Sequence, residues 1–264
     1  MPSMELENIP SILACDIGNS AIHIAHVKGQ DVGDVVAVGI NDPPGLARAM
    51  AEIWRDMPQP RRIIAASVNP AALAALEAAA KEALGESVLV IGRDLPLPLD
   101  VDVAEPQRVG VDRLCAAVAA FDRLGVACVV ADFGTAITID CVSDEGVFLG
   151  GAIMPGLSMG AAALSERTAA LPLVELSRPD WVYGKDTRQA IVGGLVFGAR
   201  GALRQFVEAY ATQLGHWPMV VITGGDSALI CPEPGESDLV QSVVPDLVLR
   251  GVAAGYYRTL LGQR

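Results

Sequence analysis

Two short turns, one near the N-terminus and one at mid-chain, constrain the fold of this chain more than any other feature. Ile12-Leu13-Ala14-Cys15 runs into Asp16-Ile17-Gly18-Asn19-Ser20, after which Ile22, Ile24 and Val27 nearly alternate with His23 and Ala25. The run from Val126 to Ala131 is continuously apolar and rich in β-branched residues, as suits a strand buried on both faces. It leads into Asp132-Phe133-Gly134-Thr135-Ala136 and then a second apolar run. Both copies read strand, Asp-x-Gly-polar-small turn, strand, and they begin close to half the chain length apart. An internal repeat of that period implies two similar halves, with a cleft between them that carries an Asp and a hydroxyl or amide from each side. Burying Asp132 at a strand end is costly unless a cation or several N–H donors meet the carboxylate. Gly134 lets the backbone turn and approach a ligand, and Thr135 and Thr138 supply hydroxyls.

Between and after the turns the chain alternates strands with helices. Pro43 to Asp56 has helical apolar spacing at Leu46, Met50, Ile53 and Trp54; Arg62 to Val68 is a short buried strand; Ala71 to Leu84 is an alanine-rich helix; Val88 to Ile91 is another strand. This alternation predicts an α/β architecture in which helices cover a mixed sheet. The proline-rich stretch from Leu95 to Pro106 is extended, since each proline disfavours helix in the residue before it. It delivers the chain to Gly110-Val111-Asp112-Arg113, after which Leu114, Val118 and Phe121 mark a helix. Gly110 and Asp112 therefore stand at a helix N-terminus, where N–H groups favour an anion and where an acidic residue also serves as a simple helix-start charge.

Farther on, Gly150-Gly151-Ala152-Ile153-Met154-Pro155-Gly156 is a glycine-rich corner opening a helix through Leu157 to Leu164. Trp181 to Thr187 leads into a helix with a glycine-lined face, Gly193, Gly194 and Gly198, which permits close packing of two helices; Thr187 at its start can cap it or bind a ligand. Met219 to Ile222 is a buried strand entering Thr223-Gly224-Gly225-Asp226-Ser227, a glycine pair placed where open α/β sheets hold nucleotides. Pro245 to Gly251 opens a closing helix through Tyr257 and Leu261.

Composition excludes several partners. With 264 residues, 52% of them hydrophobic, the chain suits one compact unit of two lobes. A net charge of −12 argues against nucleic acid or an anionic membrane as the main partner, and an anionic substrate must be held locally against the field. No apolar run reaches the ~18 residues of a membrane helix, and Met1 to Pro10 has Glu5 and Glu7 but no basic region, so neither anchoring nor secretion is expected. Cys15, Cys115, Cys128, Cys141 and Cys231 lie far apart in mostly apolar runs and read as buried thiols in a reducing cytoplasm.

Taken in order, DIGNS, GVDR, DFGTA, GGAIMPG, TAALP, GKDT and TGGD resemble the motif series of the type III pantothenate kinases, from Ile12 to about Gly251. The resemblance implies the fold of acetate and sugar kinases, actin and the heat-shock chaperone ATPases. That is an α/β chain of two ribonuclease-H-like lobes, each a mixed sheet with flanking helices, around an ATP cleft; here the lobes are expected at 11–120 and 121–264. It implies that Asp16, Ile17, Gly18, Asn19, Ser20, Ala21, Ile22 and His23 form the first phosphate loop, with Asp16 near magnesium. It also implies that Gly110, Val111, Asp112 and Arg113 bind pantothenate, with Asp112 as catalytic base. Asp132 matches the ligand of a monovalent cation, potassium or ammonium; Thr135 matches an ATP contact and Thr187 a pantothenate contact. Members are cytoplasmic homodimers whose substrate pocket is completed at the dimer interface, a role open to the glycine-faced helix. Phosphoryl transfer is mostly positioning and charge stabilisation, which suits two carboxylates recruiting cations and a third taking the hydroxyl proton. Two departures stand out: Val103 replaces the usual tyrosine seven positions before the GxDR glycine, and the first loop reads Gly18-Asn19-Ser20-Ala21 where GNT and a polar residue are usual. Ser20 keeps the hydroxyl, whereas Val103 leaves room for a kinase of another small alcohol; a nucleotide-sensing regulatory relative is the third reading.

Overall fold

The computed structural model describes residues 9–231 and 238–262. β1 (Ser11–Ile17) is buried on both faces and pairs antiparallel with β2 (Ala21–Lys28), which sets Asp16 opposite His23. β3 (Asp31–Val32) and β4 (Val36–Gly39) both pair with β2. α1 (Pro43–Asp56) starts at Asp42, whose carboxylate accepts from the N–H of Gly45, and turns Leu46, Ala49, Met50 and Trp54 inward. β5 (Arg61–Ser67) then lies parallel to β1. α2 (Pro70–Ala79), capped by Asn69, continues as one π-helical turn over Ala80–Leu84 and stops at Gly85 in the left-handed region. β6 (Val88–Val90) pairs parallel with β5, so the sheet runs β3-β2-β1-β5-β6 with β4 also on β2. A tight turn joins the antiparallel hairpin, whereas each parallel pairing needs a helical crossover.

The second half repeats the plan. After β7 (Asp100–Val101) and α3 (Val111–Leu124) come β8 (Cys128–Phe133), β9 (Ala136–Val142) and β10 (Val147–Pro155), an antiparallel meander. α4 (Leu157–Arg167) and α5 (Thr187–Leu214) follow, and β11 (Met219–Thr223) then pairs parallel with β8. A single helical turn, α6 (Ser227–Ile230), precedes β12 (Ser242–Val243), which is parallel to β11; α7 (Leu247–Leu260) closes the chain. This sheet runs β12-β11-β8-β9-β10-β7. The fold is thus α/β with two mixed sheets and flanking helices. β8, β9 and β11 stand to one sheet as β1, β2 and β5 stand to the other.

The described residues divide into two compact units. The first holds those up to Asp100, Ala104–Asp122 and those from Asp246 on; the second holds Val101–Val103 and those of Arg123–Pro245. The expected division into 11–120 and 121–264 differs in its last element. α7 packs on β1, β2 and β5 of the first unit. The Tyr257 hydroxyl fixes it there, donating to the carbonyls of Pro10 (2.9 Å) and Val27 (3.3 Å) and accepting from the N–H of Gly29 (3.2 Å). Chain order alone gives no signal for such a return.

Two further expectations shift. Val126 is exposed and the strand starts at Cys128, so Asp132 lies inside β8 and not beyond it. The sequence predicts no apolar run of membrane-helix length, yet α5 has an 18-residue window of mean hydropathy 1.2, of which 39% is buried. One side of α5 supplies Ile191, Val192, Val196, Ala199, Leu203 and Val207 to the core of the second unit, beside Phe133, Ile137, Ile139 and Ile222. All five cysteines are reduced and buried.

Candidate functional site

In the first unit the hairpin between β1 and β2 presents the first loop. The Gly18 N–H donates to the Ala21 carbonyl at 3.0 Å and closes the turn, leaving Asn19 and Ser20 exposed at its tip. Asp16 is 18% exposed and its Oδ2 lies 3.8 Å from His23 Nδ1. Strand alternation sends Ile17 and Ile22 into the core, so of the eight loop residues these two offer a ligand only their backbone.

Gly110 through Arg113 stand at the start of α3, as expected from the sequence. Asp112 Oδ1 accepts from the Arg113 N–H at 2.8 Å, which fixes the carboxylate at the open end of the helix. It lies over Gly110: a Cβ there would stand 2.5 Å from Asp112 Oδ1. Val111 is the first helical residue. One turn in, burial pushes the Cys115 thiol well above its ordinary range, and the charges of Asp16 and Asp112 raise it further. The first loop and the GVDR turn are therefore neighbours, bringing two carboxylates to one locality.

In the second unit three glycine-bearing loops meet. Asp132 sits in β8 between Thr138 of β9 and Thr223 of β11. Gly224, with φ +92°, lies under its carboxylate, where a Cβ would overlap Asp132 Oδ1 and the Phe133 carbonyl. Gly134 is also close, its Cβ position 3.4 Å from the same oxygen. The Asp226 N–H donates to the Phe133 carbonyl at 2.9 Å, tying the TGGD loop to the DFGTA turn. From the other side the Gly156 N–H donates to the Thr135 carbonyl at 3.2 Å, and no side chain fits at Gly156 against the carbonyls of Gly134 and Thr135. Thr135 itself is exposed.

Thr187 opens α5 and is exposed; the Asp186 carboxylate caps the helix by accepting from the Gln189 N–H at 2.9 Å, so Thr187 is not the cap. Val103 packs against β10, its Cγ1 3.4 Å from the Cβ position of Gly150, a glycine with φ +99°.

A family model described as type III pantothenate kinase matches residues 12–209, a span that holds the DIGNS, GVDR, DFGTA, GGAIMPG and GKDT motifs. The chain belongs to the type III pantothenate kinase family. A type III pantothenate kinase of Dehalococcoides mccartyi is 33% identical to it over 93% of this chain and 96% of its own length. Another, of Syntrophotalea carbinolica, is 33% identical over 94% and 98%. Among solved structures, a protein described as a Baf family transcriptional activator from Campylobacter jejuni shares the fold with a TM-score of 0.57, at 21% identity, over 94% of this chain and 99% of that one.

Two features of this family member escaped the sequence reading. One is the seat of Asp132 on Gly224; only the occurrence of a glycine pair directly after a strand hinted at it. The other is the burial of Asp226 within the TGGD loop beside the same junction, which pushes its carboxyl up. Among the described residues no three Asp, Glu, His or Cys side chains gather as a metal cage. The oxygen donors present suit hard cations: magnesium bound to ATP takes one or two protein carboxylates and keeps its waters, and Asp16, partly exposed near the end of β1, fits that need.

Proposed function

We propose that this family member transfers the γ-phosphoryl group of ATP to the primary hydroxyl of pantothenate. The products are 4'-phosphopantothenate and ADP, and the step opens coenzyme A biosynthesis. The observation that carries this reading is the setting of Asp112: a carboxylate held over Gly110 at a helix start, near Asp16, within the stretch matched by the family model.

Asp112 accepts the proton of the pantothenate hydroxyl as its oxygen attacks the γ-phosphorus, and the bond to the β,γ-bridging oxygen breaks to release ADP. Loop residues 16–23 hold the triphosphate through backbone N–H groups and the Asn19 and Ser20 side chains. Asp16 takes the magnesium that accompanies ATP, whose charge offsets the charge of the phosphates. Thr135 contacts ATP, and Asp132 takes a potassium or ammonium ion. Gly110, Val111 and Thr187 bind pantothenate, and Arg113 pairs with its carboxylate as a planar two-N–H donor. The protein works as a cytoplasmic homodimer that uses the open face of α5, without nucleic acid or membrane as partner.

Val103 supports a second reading, in which the pocket takes a different small alcohol, because a branched aliphatic side chain against Gly150 replaces the family's usual phenol. Mass spectrometry after incubation with magnesium-ATP and a panel of alcohols separates the two, with and without potassium. Potassium-dependent phosphopantothenate is the expected product; phosphorylation of another alcohol in preference to pantothenate rejects the first reading.

A further inference from the structure

The TGGD loop holds a carboxylate that phosphoryl transfer as proposed leaves unused. Thr223 ends β11 beside Asp132 of the parallel strand β8, and Gly224, Gly225 and Asp226 continue past that end, the side on which α/β sheets bind ligands. The Asp226 backbone is pinned twice: its N–H donates to the Phe133 carbonyl at 2.9 Å, and its carbonyl accepts from the Leu229 N–H at 3.0 Å. The side chain has no such partner. It caps no N–H of α6, and among the described residues no hydrogen bond or ion pair meets its carboxylate. It is partly buried, and burial alone raises its pKa, so the ionised form is short of donors while still open to a ligand. Beside it Gly225 is exposed, and a Cβ there would meet nothing within 4 Å, so the adjoining surface is bare backbone.

The chemistry of the reactants narrows what such a carboxylate can take. Phosphates are repelled by it, and a protein-held cation would lack further ligands, since among the described residues no three Asp, Glu, His or Cys side chains gather. Neutral donors remain. A cis-diol offers two O–H groups side by side to the two oxygens of one carboxylate, and an acidic residue holds the ribose in dinucleotide-binding sheets through the same chemistry. We propose that Asp226 is a specificity residue for the sugar of the nucleotide, its carboxylate accepting from the 2'- and 3'-hydroxyls of the ATP ribose beside the bare backbone of Gly225. This deepens the kinase reading and rests on ATP as the phosphoryl donor.

Calorimetric titration of the full chain with magnesium-ATP and with magnesium-2',3'-dideoxy-ATP, without pantothenate, tests this in the wild type, Asp226→Ala and Asp226→Asn. The wild type is expected to bind ATP roughly tenfold or more tightly than the dideoxy analogue, the scale of a lost hydrogen bond to a charged group. In Asp226→Ala the two affinities are expected to converge on that of the wild type for the analogue. Asp226→Asn, similar in size and still an acceptor, is expected to show a reduced preference and keeps the comparison available if Asp226→Ala melts early. A purely structural role would weaken both nucleotides alike and leave their ratio unchanged. Equal binding of the two by the wild type, no binding of either, or an undiminished ratio in the folded variants overturns the proposal. So does an Asp226-dependent preference for ATP over inosine triphosphate in place of the sugar preference, which would make the adenine amino group the partner. Phosphopantothenate formation is read separately: a sugar preference without that product rejects the kinase reading alone, and product without a sugar preference rejects the role of Asp226 alone.

Discussion

Asp112 and Asp132 are each laid over a bare glycine, but the two glycines differ in what a methyl group would strike. At Gly110 its tight contact is with the Asp112 carboxylate, a side chain that can swing away, while Val68 Cγ1 lies at an ordinary 3.7 Å. At Gly224 it meets the Phe133 backbone as well as Asp132, in a left-handed conformation that L side chains rarely adopt. Gly224→Ala is therefore expected to cost about 2–4 kcal/mol of stability by overpacking and strain together, measured by urea unfolding. Gly110→Ala is expected to unfold within about 1 kcal/mol of the wild type while losing turnover. Equal stability losses in the two variants would contradict this account. The sequence exposes Asp16 and Asp132 because a carboxylate in an apolar run is costly without a partner. It does not expose the seat of Asp132, because Gly224 reaches it only through the parallel pairing of β11 with β8.

Among the elements, the helices and long strands follow from local chemistry. Asp42, Asn69 and Asp186 each accept an N–H three residues on, so the starts of α1, α2 and α5 are written beside them. β3, β7 and β12 have two residues each and β4 has four; such strands owe their existence to the neighbour they pair with, and no periodicity marks them. The turn between β9 and β10 is tied to its surroundings by Asp144, which accepts from the Ala127 N–H at 2.9 Å and meets His216 Nε2 at 2.7 Å. The hydrogen bond to Asp144 raises the His216 pKa above 6.5, helped by the Trp217 carbonyl. The link therefore contributes fully below the unfolded imidazole pKa and is lost as pH rises through the raised one. The Asp144 pKa is held down, first by the Ala127 N–H and then by His216, so its share is lost only in acid, as pH falls through that lowered value. Between about pH 6 and pH 8 the melting temperature of the wild type is expected to fall relative to that of His216→Gln. Parallel pH profiles would contradict the link.

At the scale of the whole molecule, the repeated Asp-x-Gly hairpin correctly announces two mixed sheets of similar plan, since each copy starts an antiparallel pair that parallel strands extend. The return of α7 to the first unit stays hidden, because its anchor is a tyrosine hydroxyl meeting backbone groups at the opposite end of the chain. α5 turns Gly194, Gly198 and Gly201 to open space, whereas Gly193 is buried near Trp181. The homodimer proposal places a second copy on that open face. A Cβ at Gly198 meets nothing within 4 Å in the single chain, so Gly198→Glu is expected to yield a folded monomer in analytical ultracentrifugation and the wild type a dimer. An unchanged oligomeric state would move the interface elsewhere. The most direct test of the kinase account compares phosphopantothenate turnover by the wild type and Asp112→Asn under saturating magnesium-ATP and pantothenate, with ATP binding measured alongside. Turnover lower by about 10²- to 10⁴-fold with ATP affinity retained is the expected result; turnover within a few-fold of the wild type would remove Asp112 as the base.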